Sequence, residues 1–242
     1  MGMSVASLTV ETDALIVRRT PYADADWIVT LFTSKLGIVS AVASSGRQSK
    51  RRFAGGLEAF HDLAVHLRAT RSGDLMQLTD ATITRARHGL VSNLLAMQTA
   101  GKALNWLRRA FPPKLFEPQA WRLVQNWLDT IDATPPRDQA QADAQLAEYG
   151  LKLLTVLGWA LELTKCVRCN KPCPPNSKTH VSPSDGGVVC RACGGTGPVM
   201  IASLRMAMQR AAQLDEGPLP TDQSAIALSI VERALLSHAG IE

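Results

Sequence analysis

Up to about residue 90 the chain is a run of short apolar segments broken by turn residues. TDALIVRRT, DWIVTLFT, GIVSAVA, HDLAVHLRA and LMQLTDATIT are rich in β-branched residues and separated by Gly, Ser and Asp, the composition of strands and turns. In the fourth segment Leu63, Val65 and Leu67 stand against Ala64, His66 and Arg68, a period of two that buries one face of a sheet. Five such segments with no helix-length stretch between them predict a small five-stranded β-barrel of the oligonucleotide/oligosaccharide-binding (OB) type over residues 1–88, not a parallel α/β sheet.

From about residue 91 the period becomes helical. SNLLAMQTAGKALNWLRRAF carries Leu94, Leu95, Gln98, Lys102, Asn105 and Leu107 in a helix-compatible order, with Ser92 or Asn93 as N-cap and FPP at 111–113 as terminator. A second helix spans Pro118 to Ile131 with Trp121, Val124, Trp127 and Leu128 on one face. After DATPPRD the spacing predicts a long helix from Gln139 to Leu163, whose end, LKLLTVLGWALEL at 151–163, reads as buried. ASLRMAMQRAAQL and SAIALSIVERALLSHA give two more helices. The expected architecture is α+β and multidomain: a barrel, then an all-α domain over 89–242 interrupted by an insertion at 165–198.

The insertion carries the most specific chemistry. Cys166-x2-Cys169 and Cys190-x2-Cys193 are separated by twenty residues. Two CxxC turns joined by a hairpin can close a tetrahedral sulfur site, and four sulfurs in that geometry suit structural Zn2+. THVSPSDGGVVC reads as strand, turn and strand, with Asp185, Gly186 and Gly187 at the tip of a zinc ribbon. Arg168, Lys171 and Arg191 would offset the thiolate charge. Cys173 is a fifth thiol that could replace a ligand or be free, and the free reading is preferred. A site closed by four protein sulfurs has no open position, so the metal is expected to hold the fold and not to catalyse. A redox role for the CxxC pairs is the weaker reading, because such pairs usually come singly at the start of a helix in an α/β domain.

Charge then sharpens the barrel. The net charge of +5 is modest and informative only where it clusters. It clusters in GRQSKRRFAGG, where Arg47, Lys50, Arg51 and Arg52 crowd between the third and fourth strands with no acid among them. On a barrel of this type such a loop tracks phosphates. Arg18 and Arg19, near Tyr22, and Arg68 and Arg71 extend the candidate patch, and Gly46, Gly55 and Gly56 would allow close backbone approach. Aromatics make up only 5% of the chain, so backbone contact, not base readout, should dominate. No phosphate-binding loop or HExxH appears, and His61, His66, His88, His180 and His238 are scattered, which argues against an ATPase or hydrolase. No apolar run reaches the roughly 18 to 20 residues of a spanning helix and no export signal is visible, so a cytoplasmic location is expected.

The stretch ALIVRRTPYADADWIVTLFTSKLGIVSAVASSGRQSKRRFAGGLEAFHDLAVHL resembles the N-terminal domain of the RecO family. An arginine-rich first strand, Pro-Tyr, a TLFT…G strand and turn, and a Gly-Arg…Ser-Lys loop occur in that order. The helical remainder with SPSDGGVVCRAC after a first CxxC is similar to the zinc-bearing members, so the likeness covers nearly the whole chain. It departs in the additional Cys173 and in YADAD, where the family more often has a Gly-Glu-Ser-like turn. The resemblance implies a non-enzymatic, nucleoid-associated mediator of DNA repair and recombination that binds single- and double-stranded DNA and anneals complementary strands. It further implies partnership with RecR and engagement of the C-terminal tail of single-stranded DNA-binding protein (SSB), so that RecA is loaded. Arg18, Arg19, Arg47, Lys50, Arg51 and Arg52 fall on the family's basic positions, and Cys166, Cys169, Cys190 and Cys193 on its cysteines. An acidic SSB tail would need cations, for which Lys102, Arg108, Arg109, Arg205 and Arg210 are candidates. The same modules would also serve a zinc-ribbon/OB accessory protein of transcription or RNA handling.

Overall fold

The structure is a computed structural model that describes residues 9–49, 52–53, 57–70, 75–213 and 219–240. The described chain forms two compact units, one holding residues up to Ser92 with Phe111–Ala133, the other Asn93–Ala110 with the chain from Thr134 onward.

In the first unit five strands close a barrel. They are β1 (Thr9–Tyr22), β2 (Asp26–Thr33), β3 (Gly37–Ala43), β4 (Asp62–Arg68) and β5 (Met76–Arg85), in the order β1-β2-β3-β5-β4. All pairings are antiparallel except the short β3–β5 closure at Ala41↔Met76 and Val42↔Gln77. The alternation expected in the fourth strand holds: Leu63, Val65 and Leu67 are fully buried while His66 and Arg68 face water. With Ala14, Ile16, Val29, Leu31, Val39 and Leu78 they fill the barrel.

Helix α1 (His88–Val91), helix α3 (Pro118–Ala133) and the residues before α3 belong to the barrel unit. Lys114 N–H donates to the Ile38 carbonyl at 2.9 Å, and the Phe32 and Trp121 rings lie 5.4 Å apart. Gly37, at φ +67°, turns β2 into β3 where a Cβ would sit 2.1 Å from the Leu115 carbonyl oxygen, so both its conformation and its lack of a side chain are required.

Arg87 locks this arrangement. It is wholly buried. Its guanidinium donates to both carboxylate oxygens of Asp62 at 2.7 and 3.1 Å, to Asp129 Oδ1 at 2.8 and 3.0 Å, to Gln125 Oε1 at 2.8 Å and to the Phe60 carbonyl at 2.8 Å. β4 and α3 thereby share one buried charge, satisfied on every side as burial demands.

In the second unit α2 (Leu94–Ala110), α4 (Gln139–Val156), α5 (Ala202–Ala212) and α6 (Ser224–Ala239) pack together. Asn93 is the α2 cap, its Oδ1 accepting from Ala96 N–H at 2.9 Å. The buried face of α2 is Ala96, Thr99, Ala100, Ala103, Leu104, Trp106 and Leu107, whereas Leu94 is 66% exposed. Small residues at 96, 99, 100 and 103 with Leu104, Trp106 and Leu107 make that seam, not the leucines at its start. The helix expected to reach Leu163 stops at Val156. Gly158 at φ +79° takes the left-handed position, Gly158 N–H donates to the Thr155 carbonyl and Trp159 N–H to that of Leu154, the paired hydrogen bonds of a Schellman termination.

The insertion is a three-stranded sheet of β6 (Thr179–Ser182), β7 (Gly187–Val189) and β8 (Val199–Met200), ordered β7-β6-β8. The turn at 183–186 ends on Gly186 at φ +79°. Strand, turn and strand fall where the pattern placed them.

Candidate nucleic-acid interface and metal centre

The barrel rim is built around Trp27. Pro21 is its direct partner on β1, so Arg19 is a diagonal cross-strand neighbour, within reach of a long side chain. The Arg19 guanidinium lies 4.6 Å from the Trp27 ring centroid and Arg47, from the loop after β3, lies 4.9 Å from it. One indole thus holds two cations from distant segments, and its negative faces offset part of their mutual repulsion. Arg19 is further fastened by donating to the Leu57 carbonyl at 2.7 Å and to Glu58 at 3.1 Å.

The loop itself is pinned. Ser45 N–H donates to Asp26 Oδ1 at 2.7 Å and Arg47 N–H to the Ala25 carbonyl at 3.0 Å. Asp26, distant in sequence, therefore orders the basic loop. Arg52 donates to the Ser44 carbonyl at 2.7 Å, its backbone carbonyl accepts from Ala81 N–H, and the next residue, Phe53, is buried in the barrel core. Gly46 does not face an open approach: a Cβ there would lie 2.9 Å from Trp27 Cδ1 and 2.9 Å from the Ala43 carbonyl oxygen. Its bareness lets the loop sit on the indole.

Arg18 is exposed on the β1 side of the rim, just past the register shift between Ile16 and Arg18. Arg68 lies at the end of β4 and donates to Gln77 Oε1. No hydrogen bond, ion pair or ring contact joins either to the Trp27 cluster among the described residues. Lys50, Arg51 and Arg71, and Gly55 and Gly56, lie outside the described residues. Sequence reasoning missed Trp27 and Asp26; the signal available was a lone tryptophan opening a strand directly after an acid-rich turn.

In the second unit the two CxxC turns converge. The sulfurs of Cys166, Cys169, Cys190 and Cys193 all lie within 4.8 Å of one another, and those of Cys169 and Cys190 are 3.8 Å apart. A tetrahedron with metal–sulfur bonds of about 2.3 Å has edges of about 3.8 Å. The turns are shaped by local hydrogen bonds: Cys166 N–H to the Lys171 carbonyl, Asn170 N–H to that of Cys166, and Cys193 and Gly195 N–H to that of Cys190. Left-handed residues close both, Asn170 at φ +58° and Gly194 at φ +83°.

Electrostatics at the four thiols favour a cation. Cys190 N–H points at Cys166 Sγ from 3.4 Å, and this donor above all holds the Cys166 thiol down to about 6. Cys193 is pushed up to about 12, chiefly by the neighbouring Cys190 and Cys169 sulfurs. Four thiolates at one point cannot all carry charge unless a metal ion neutralises them. These residues could hold a divalent ion. Cys173 stands outside the cluster, and burial raises its thiol pKa. His180 is a β6 residue whose Nδ1 meets the Gly197 carbonyl at 2.9 Å. Arg168 donates to the Cys193 carbonyl at 2.7 Å and to Asp185 at 3.0 Å.

The helix cations considered for an acidic tail are partly committed. Arg205 is 3% exposed and donates to the carbonyls of Leu163, Pro174 and Pro175 at 2.9–3.0 Å, so it ties the insertion to α5. Lys102 pairs with Glu232, Arg108 donates to Asn105 at 2.8 Å and Arg109 to the Gly240 carbonyl at 2.8 Å. Arg210 is exposed.

Comparison with known proteins agrees with both halves of this description. Residues 3–87 match the family model described as "Recombination protein O N terminal" and residues 94–242 the one described as "Recombination protein O C terminal". The chain is 30% identical over 230 residues to a DNA repair protein RecO of Pelobacter propionicus, covering 94% of this chain and 90% of that relative. It is 28% identical over 236 residues to that of Myxococcus xanthus, covering 95% and 92%. For the protein of that name in Geobacter metallireducens the identity is 31% over 186 residues, covering 77% and 73%. With a five-stranded barrel, a helical domain and a four-cysteine ribbon under matches that run almost from end to end, the chain belongs to the RecO family.

Proposed function

We propose that this protein is a mediator of DNA repair and recombination that binds single- and double-stranded DNA through the barrel rim and anneals complementary strands. The observation that carries this is the cationic rim organised on Trp27, on an OB-like barrel in a chain of this family. Annealing requires no catalytic group. Two polyanions repel, and a surface that neutralises phosphates while leaving bases unpaired lowers the cost of their encounter. Arg18, Arg47 and Arg52 supply backbone contacts, with Lys50, Arg51, Arg68 and Arg71 extending them. Arg19 contributes charge from a fixed position. Sequence readout is weak because phosphate contacts position without specifying.

The metal in this reading is structural Zn2+ on Cys166, Cys169, Cys190 and Cys193, four soft ligands at tetrahedral spacing with no open position. The protein is not an enzyme; it works with RecR and engages the SSB tail, so that RecA is loaded onto SSB-coated DNA. Family membership supports these partners, and no interface for them is assigned.

The test is annealing of two complementary DNA oligonucleotides by the purified zinc-loaded chain across a salt titration, with an RNA pair alongside. Fast DNA annealing that collapses with salt is expected. Absence of annealing together with tighter binding to RNA would replace this reading by one of RNA handling or transcription.

A further inference from the structure

We propose that the ribbon carries a second, sequence-independent site for a nucleic-acid backbone, in a groove beside the cysteine cluster. The proposal rests on the nucleic-acid reading above but concerns a different unit of the molecule.

The groove has a volume of about 640 Å3 and is walled by the segment after the first CxxC, the start of the second CxxC, β6 and β7. Lys171, Lys178 and Arg191 line it, all exposed, and no acidic residue among the described residues does. None of the three side chains has a hydrogen bond or ion pair among the described residues. Arg168, held against the Cys193 carbonyl and Asp185, has its charge balanced there; Lys171 and Arg191 stand beside the thiolates and, with Lys178, also face the open groove. Three exposed cations around one concavity with no carboxylate among its described lining residues attract a polyanion.

Val188 and Val189 form the floor and are each 1% exposed, while Val199, at 49%, and the exposed Pro172 and Pro174 give the groove an apolar wall. An acidic peptide would compete for the same cations, and polyglutamate binding distinguishes it. No Phe, Tyr or Trp lines the groove, so bases have no stacking platform. Three cations along one concave strip suit a run of phosphates. Thr179 on its wall keeps a buried hydroxyl without a partner among the described residues, a donor that a small shift would make available. A protein that brings two strands together gains from holding charge on each of its units.

The experiment uses the full zinc-loaded chain and a fluorescent oligo-dT in anisotropy titrations at several salt concentrations. None of the three cations is a metal ligand. Each phosphate contact to a single strand contributes about 0.7 to the slope of log K against log salt. The Lys171→Ala/Lys178→Ala/Arg191→Ala variant should therefore lose about 2 from the slope and anneal more slowly, with its zinc content unchanged. Should the Arg191 change disturb the ribbon, Lys171→Ala/Lys178→Ala should lose about 1.4. An unchanged slope in a zinc-loaded variant overturns the proposal. If Arg18→Ala/Arg47→Ala/Arg52→Ala flattens the slope while the ribbon variant does not, the barrel reading stands and this inference alone fails; no salt-dependent binding by wild type removes both. Loss of polyglutamate binding in the ribbon variant with oligo-dT binding intact would make the groove a site for acidic protein and likewise overturn it.

Discussion

Replacing Arg87 with Met should destabilise the barrel unit more than any surface change. Arg87 is wholly buried and makes six side-chain hydrogen bonds, four of them to Asp62 and Asp129. Removing one partner of a buried ion pair costs roughly 3–5 kcal/mol, because the other charge remains without compensation. Here the lower end applies. Arg85 also contacts both carboxylates, but its side chain is 58% exposed, so its attraction is screened and compensates only in part. A loss of about 3 kcal/mol, at urea slopes of about 1–3 kcal/mol/M, moves the midpoint by about 1–3 M. Hydrogen exchange at β4 and β5 amides in urea reads this unit separately from the helical one. Arg87→Met/Asp62→Asn/Asp129→Asn should recover part of the loss, since no charge is then stranded. A cost below about 1 kcal/mol for Arg87→Met alone would refute the view that this buried charge joins β4 to α3.

Trp27→Ala should lower oligonucleotide affinity although it removes no charge, because Arg19 and Arg47 each lose a cation–π contact worth roughly 0.5–1 kcal/mol; anisotropy should show a loss of a few-fold, largely restored by Trp27→Phe. Cys169→Ser should abolish stoichiometric zinc in metal analysis and unprotect the β6–β7 amides while leaving β4–β5 exchange unchanged. Acidification should release the metal from wild type, since every ligand must be a thiolate. His61 Nδ1 accepts from Arg87 N–H at 3.1 Å, and its pKa is lowered, first by burial and then by His88 and Arg87. The neutral ring is therefore the folded form. Its contribution is present above about pH 6.5, the unfolded value, and is lost as pH falls through the lower folded value. Urea midpoints should drop over that window in wild type and less so in His61→Gln.

Much of this fold was legible because its signals are local. Strand period, turn residues and CxxC spacing are each contained within a few positions, and they placed five strands, most helices and the four clustered cysteines. The failures come from contacts that no window contains. Arg87 reaches Asp62 and Asp129 across 25 and 42 residues, so nothing near it in sequence marks it as buried. Three of the α2 seam residues are alanines that carry little hydrophobic signal, while exposed Leu94 carries much. Gly158 ends α4 inside an apolar run because a left-handed glycine outweighs periodicity there. On the rim, Arg47 and Arg52 were visible as charge, but Trp27 and Asp26, which organise them, became visible only once β1, β2 and the loop were brought together.

The central claim is that the barrel rim is a phosphate-binding surface. It is tested most directly by the salt slope of oligo-dT binding for wild type and for Arg18→Ala/Arg47→Ala/Arg52→Ala. At about 0.7 per contact, the variant's slope should be shallower by about 2, with the barrel's hydrogen-exchange protection intact. Identical slopes in two equally folded proteins would contradict the account and leave the rim cations as solvated charge.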